Sequence, residues 1–215
     1  MRTPLNSILG FAQLLVHSPA QGMTSQEREY VQNIHISGSL LLDLIDRLLD
    51  LSKAESGEAD VKLEPTDVAM CLEKARAVLD PLAKQAGIKL SIDPGAFEGM
   101  MVMADPTRLT QIFINLGTNA IKYNKPGGRV DVRLGTTSLK DLVVSFIDTG
   151  IGIPATYRGQ VFQAFNRLHQ SKSSVPGAGI GLALSRRFAE AMGAILSFDS
   201  AEDAGSSFDL KLQRC

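Results

Sequence analysis

Asn115, Asn119, Lys122 and Tyr123 fall at i, i+4, i+7 and i+8 of a stretch with helical apolar spacing. That spacing puts them on one helix face. Two carboxamides one turn apart, a lysine and a tyrosine could hold a metal–phosphate group and an aromatic ring. An amide oxygen is a hard ligand suited to Mg²⁺, which keeps waters and phosphate oxygens as its other ligands. The same four residues also read as a solvated helix face. A second candidate is Asp148-Thr149-Gly150-Ile151-Gly152-Ile153, directly after a strongly apolar run. An Asp ending a buried strand can accept from an amino group such as that of adenine, and Gly150 and Gly152 would let a flat ring lie against the backbone. A strand that simply ends in a turn has the same appearance. The third candidate is Gly177-Ala178-Gly179-Ile180-Gly181-Leu182, opening an apolar helical run to Met192. Glycines admit a close ligand, and free N–H groups at a helix start suit phosphate. Alone, this pattern is equally a tight turn.

Between these lie Phe162 and Phe165, which read as core or as an anchor, and a polar loop from Asn166 to Pro176. The loop carries Arg167, His169 and Lys172 among small residues and has the makings of a lid over phosphates.

These residues need elements to position them. Asp105-Pro106 is a helix start, an N-cap Asp followed by Pro at the first helical position. Leu109, Ile112, Phe113, Leu116, Ala120 and Ile121 form the buried stripe behind the polar face, and Pro126-Gly127-Gly128 ends it. Val130–Leu134 and Leu142–Ile147 are strands joined by a hairpin, and Ile195–Asp199 and Ser207–Leu212 form another around Gly205. Ile88–Ile92, Met101–Met103 and Lys62–Pro65 are shorter strands. Asp67 to Ala86 is helical, with Pro81 predicting a break or kink and Gly87 the end. Pro154 to Phe165 reads as a further helix. The expected architecture is α+β: an α/β sandwich with a mixed, mainly antiparallel sheet and helices on one face.

Ahead of it stands a helical hairpin. Leu5, Ile8, Ala12 and Leu15 step by three and four, Ser18–Gly22 breaks the helix, and Thr24 or Ser25 caps a second one bearing Ile34, Leu41, Leu44, Leu48 and Leu51. The stripe is broader than two helices can bury between themselves, which predicts a homodimer with a four-helix bundle. Packing of the hairpin on its own second domain is the alternative. The polar run Lys53–Asp60 sets the boundary, giving 1–56 and 57–215.

The chain has 215 residues, 44% of them apolar, with a formal net charge of −1. This is globular composition that gives no reason to expect nucleic acid or an anionic membrane as partner. Cys71 and Cys215 match no metal spacing and suit a reducing, cytosolic setting. No apolar run approaches the ~20 residues of a membrane span, and the N-terminus lacks a signal-peptide layout, so no direct membrane contact is expected and any anchor would lie elsewhere.

Taken in order, these motifs resemble those of a sensor histidine kinase. Asn115–Tyr123 is similar to the N box, Asp148–Gly152 to the first glycine box, Phe162-Gln163-Ala164-Phe165 to the F box and Gly177–Gly181 to the second glycine box. The second domain resembles the Bergerat ATPase fold shared with gyrase, Hsp90 and MutL, and the hairpin resembles the dimerisation and phosphotransfer domain. The resemblance implies ATP and Mg²⁺ as ligands. It implies that Asn119 holds Mg²⁺, that Asn115, Lys122 and Tyr123 lie by the phosphates, metal and base, and that Asp148 takes the adenine amino group. Gly150, Gly152 and Ile153 would line the pocket with Phe165, Arg167, Gly177, Gly179, Ile180, Gly181 and Leu182. Related ATPases place a Glu where Asn115 stands. A carboxamide cannot be a general base at neutral pH, which favours phosphoryl transfer over hydrolysis.

The family's phospho-acceptor box is His-Glu-x-Arg-Thr-Pro. Here Met1-Arg2-Thr3-Pro4 matches its tail, so the acceptor would lie two residues before Met1, and His17, His35 and His169 do not replace it. The expectation is a kinase core whose acceptor histidine lies outside this chain, with a response-regulator receiver domain as second partner. The alternative is a DivL-like pseudokinase or scaffold with another residue at that position. Thr3, four after the acceptor position, matches the site where many family members orient water for phosphatase activity.

Overall fold

The computed structural model describes residues 2–17, 23–55, 61–138, 140–166 and 179–215. The chain divides into two compact units, Met1–Asp50 and Leu51–Cys215.

The first unit is a hairpin of α1 (Arg2–His17) and α2 (Ser25–Glu55), the latter running past the division. Thr24 and Glu27 form a reciprocal capping box. The Glu27 N–H donates to Thr24 Oγ1 at 3.2 Å, and the Thr24 N–H donates back to Glu27 Oε2 at 2.8 Å. This satisfies two donors at the helix start. Leu5 and Ala12 are buried, and a Cβ on Gly38 would lie 2.8 Å from Leu9. Leu5 and Leu9 thus meet α2 at Gly38, which fits antiparallel helices. Phe11 remains 69% exposed, and Ile8, Leu14, Ile34 and Leu41 are exposed with it.

The second unit opens with β1 (Glu64–Asp67), two residues later than the sequence suggests, and α3 (Val68–Ala86). Asp67 caps α3 through the Ala69 N–H, and Gly87 closes it in the left-handed conformation. No break occurs at Pro81. Ala77, whose carbonyl loses its i+4 donor to the proline, is exposed, so water can replace the missing N–H.

Then follow β2 (Lys89–Ile92), β3 (Met101–Ala104) and α4 (Pro106–Lys122). Asp105 caps α4 by accepting from the N–H groups of Thr107 and Arg108, while its other oxygen takes the Lys62 N–H at 3.0 Å. Burial works to raise its pKa, but these three backbone donors outweigh burial and hold the carboxyl below its usual value. β4 (Arg129–Ser138), β5 (Asp141–Asp148), α5 (Gly181–Ala191), β6 (Ile195–Ala201) and β7 (Gly205–Gln213) complete the unit.

The main sheet has strand order β2-β4-β5-β7-β6, with β2 parallel to β4 and the other pairs antiparallel. The mixed, mainly antiparallel sheet matches expectation. β1 and β3 stand apart as a two-stranded sheet. Along β5, Leu142, Val144, Phe146 and Asp148 face inward in strict alternation. They meet α4, where Phe113 packs against Phe146 with ring centroids 5.8 Å apart. Both rings are fully buried, a burial that contributes about 2–3 kcal/mol per side chain.

The helix expected over Pro154–Phe165 does not form. A 3₁₀ helix covers Ala155–Gln160 and turns follow it. The 3₁₀ stretch has no side-chain cap and no buried residue, so nothing sustains a longer helix. The turns carry Phe162 onto Phe198 of β6, with centroids 5.6 Å apart.

Candidate functional site

Asp148 ends the inward row of β5, paired in register with Val130 of β4 and Ser206 of β7. It is 8% exposed. Its Oδ1 accepts the Gly150 N–H at 2.8 Å and the Ser206 N–H at 3.2 Å. Among the described residues both bonds fall on Oδ1, which leaves Oδ2 to accept from a ligand. Burial pushes the carboxyl above its usual pKa, and the two N–H bonds only partly oppose that. A buried, backbone-oriented carboxylate without a cation on it is suited to receive an amino group.

The turn after Asp148 is tied to the end of α4. Ile151 donates its N–H to the Tyr123 carbonyl at 3.1 Å, and Tyr123 caps the helix by donating to the Asn119 carbonyl. Protein fills the Cβ side of each glycine of this turn. A Cβ on Gly150 would run into the Tyr123 carbonyl, and one on Gly152, at φ +65°, into the Ala201 carbonyl. The side where each Cβ would stand faces protein backbone, so these two glycines bring the turn close to α4 and to the β6–β7 connection. That connection is held from the other side. Asp203 donates its N–H to the Ile151 carbonyl at 2.8 Å, and Lys125 Nζ donates to the Asp203 carbonyl at 2.6 Å. Ile153, buried, donates its N–H to Ser200 Oγ at 2.8 Å.

On the polar face of α4, Asn115 Nδ2 donates to the buried Ser185 Oγ of α5 at 2.8 Å. A Cβ on Gly181 would collide with the Asn115 amide, so glycine there lets the first turn of α5 reach Asn115. Asn119 is half-buried one turn further on. Lys122 Nζ lies 5.2 Å from the Tyr123 ring centroid. Ile180 is buried and Leu182 half-buried. The N-cap position of α5 is Ile180, which has no side-chain cap, unlike Asp67 and Asp105 at α3 and α4. First-turn N–H groups without such a cap are suited to an anion.

Phe165 is 57% exposed and holds φ 63°, strained for a bulky residue. Its N–H donates to the Gly179 carbonyl at 2.9 Å, and Gly179 is itself at φ 70°. Of the expected lid over Asn166–Pro176 only Asn166 is described, its Nδ2 donating to Gln160 Oε1 at 2.7 Å; Arg167, Gly177 and the rest of the lid lie outside the described residues. Thr3 lies in the first turn of α1.

The structure thus joins α4, the Asp148 turn and the start of α5 in one region. Sequence reasoning missed Ser185, Ser200 and Ser206. Their partners are 70, 47 and 58 residues away, and a lone serine inside a helix or strand has no local signature. Ser206 alone could have been found, from its register opposite a strand-ending Asp.

Residues 104–214 match the family of histidine kinase-, DNA gyrase B- and HSP90-like ATPases, and residues 1–57 match the His Kinase A phospho-acceptor domain. The chain is 35% identical over 97% of its length to the circadian input-output histidine kinase CikA of Synechococcus elongatus, and covers 28% of that protein. It is 31% identical over 99% of its length to the aerobic respiration control sensor protein ArcB of Escherichia coli, covering 27% of it. The chain therefore spans under a third of these relatives. Among solved structures, full-length ShkA in complex with AMPPNP superposes with a TM-score of 0.83 at 28% identity, covering 100% of this chain and 44% of that one.

Proposed function

This chain belongs to the histidine kinases, and from that premise we propose that it binds ATP and transfers its γ-phosphoryl group to a histidine, from which the group passes to an aspartate of a response-regulator receiver domain. The observation that carries the reading is Asp148, buried and held by two backbone N–H groups on one oxygen, with no described residue donating to the other; that second oxygen would accept the adenine amino group.

The other roles are those the family resemblance implies, supported where the structure describes the side chains. Tyr123 and Lys122 lie beside the adenine turn, and the α5 N-terminus receives phosphate oxygens through uncapped N–H groups. Asn115 is oriented by Ser185 and acts by position, since an amide moves no proton at neutral pH. No group of three His, Cys, Asp or Glu among the described residues could hold a metal by itself. A Mg²⁺ ion here would take Asn119 as its protein ligand, with phosphate and water completing its shell. When bound, it would neutralise charge on the transferring phosphoryl group. In this reading the pocket residues bind and orient the nucleotide. Arg167, Gly177, Gly179 and Phe165 belong to the proposed lid and its base, and Thr3 is proposed to orient water for dephosphorylating the receiver. Residues 1–56 form the dimerisation and phosphotransfer hairpin in this reading, and 57–215 the ATP-binding domain, at work in the cytoplasm.

Incubating the intact protein with γ-labelled ATP and Mg²⁺ tests the reading. The expected product is a phosphoprotein stable in alkali and labile in acid, as a phosphohistidine is; ATP binding without such labelling would overturn the transfer step. The exposed Phe11, Ile8, Leu14, Ile34 and Leu41 support pairing with a second hairpin. Light scattering at micromolar concentration is expected to give the mass of a dimer, and Phe11→Asp to give a monomer. A monomeric parent protein would remove the bundle.

A further inference from the structure

Ser200 has every hydrogen-bonding position filled, although it lies within an edge strand. It is 4% exposed in β6. Its Oγ accepts the Ile153 N–H at 2.8 Å and donates to the Gly205 carbonyl at 3.0 Å. Its third partner is Ser206 Oγ at 2.9 Å. A hydroxyl has one proton to give. That proton goes to Gly205, so Ser206 is the donor in the hydroxyl pair.

The partners of this hydroxyl bracket Asp148. Ile153 closes the turn that follows it. Gly205 and Ser206 open β7 directly opposite it, and the Ser206 N–H is one of the two donors on Asp148 Oδ1. Ser200 therefore ties the turn after the carboxylate to the strand beside it. Arg158 secures the same residue from outside, donating to the Ser200 carbonyl and pairing with Asp199.

We propose that Ser200 is a positioning residue for adenine recognition, holding Ser206 where its N–H keeps Asp148 Oδ1 occupied and Oδ2 aimed at the base. This rests on Asp148 being the acceptor for the adenine amino group. Charged groups on the neighbouring elements are engaged elsewhere: Lys125 with Asp203, Arg129 with Asp131, Asp199 with Arg158, and Lys122 over the Tyr123 ring. Glu202 lies in the same turn as Asp203. No ion pair among the described residues includes Asp148. Its protonation is therefore governed by burial and by the two N–H donors.

Removing the hydroxyl should loosen one of those donors. The test is Ser200→Ala in the intact protein, read in two ways. The first reading is the pH midpoint of the Asp148 carboxyl ¹³C signal without nucleotide, assigned by its loss in Asp148→Asn. The second is the ATP Kd by calorimetry. The expected result is a midpoint above that of the parent protein, because a donor to the ionised form is weakened, and a Kd raised roughly tenfold. Ser200→Thr, which keeps the hydroxyl, is expected to restore both. A merely structural loss would lower stability without moving the midpoint. An unchanged midpoint and Kd in Ser200→Ala would overturn the proposal. If that variant does not fold, Ser200→Cys retains the shape with a weaker donor, and an unchanged midpoint there overturns it equally. Should Asp148→Asn bind ATP as tightly as the parent, the adenine assignment fails instead, and the ¹³C midpoint still reports whether Ser200 positions the carboxyl.

Discussion

Asp148→Asn is expected to weaken ATP binding on the order of 100-fold while leaving the unliganded protein at least as stable as its parent. The binding loss has two sources. The adenine amino group loses a charged acceptor, a bond that contributes about 1.5–3 kcal/mol. The substituted amide then presents an NH₂ group where an acceptor is needed, and an unmatched polar pair inside a buried pocket discriminates strongly. The stability expectation has the opposite sign. Burial raises the Asp148 pKa despite the Gly150 and Ser206 donors, so the folded protein holds that proton more tightly than the unfolded chain does. Ionisation above the raised pKa therefore costs stability, and the cost is relieved as pH falls through it. A neutral amide removes the cost, and its oxygen can still accept both N–H groups. ATP affinity in the parent should also fall on acidification at a higher pH than an ordinary aspartate would dictate, because protonation removes the acceptor. Calorimetry across pH and a thermal melt without nucleotide check both signs. A variant that melts well below its parent would show that Asp148 holds the fold rather than the ligand.

Gly152→Ala should destabilise the second unit by about 3 kcal/mol or more. An L residue at φ +65° costs about 1–2 kcal/mol, and the new methyl would occupy the position of the Ala201 carbonyl, an overpacking cost of about 1–3 kcal/mol. The Ala201 side cannot yield easily. Asp203 donates to Ile151 and Ser200 accepts from Ile153, on either side of the glycine. Urea unfolding followed by circular dichroism reads the loss. Gly159→Ala is the control, since nothing lies within 4 Å of a Cβ at that position, and it should change stability by no more than about 0.5 kcal/mol. If the two variants unfolded at the same urea concentration, the close packing of the turn on the β6–β7 connection would be wrong.

The elements easiest to read from sequence were those whose signals are local. Asp105-Pro106 announces the start of α4 because an Asx cap and an N1 proline act within three residues. The alternation of Leu142, Val144 and Phe146 announces a strand with one buried face and places Asp148 on that face. The resemblance joined these pieces into a site, where spacing alone left each ambiguous. Long-range features were hidden. Pairing of β1 with β3 joins Glu64 to Ala104, and nothing near either residue states it. The apolar spacing of Val161, Phe162 and Phe165 imitates a helix, but Phe162 is drawn to Phe198 and Phe165 faces outward. The glycines of the Asp148 turn were legible as glycines. What they make room for was not, because Tyr123 and Ala201 arrive from distant parts of the chain.

The inward row of β5 has a consequence for how this gene can vary in length. The residue proposed to read adenine is the fourth member of the row that builds the core, so its aim depends on parity. Deleting or inserting one codon between Asp141 and Ile147, where no β-bulge takes it up, would turn either Asp148 or the core residues before the change to the other face of the sheet. A change of two codons would keep the face but displace the carboxylate by about 7 Å along the strand, away from Ser206. A length change within β5 thus sets the core row against the carboxylate, whereas additions beside Lys140, at the far end of the hairpin, leave the count from Asp141 to Asp148 intact.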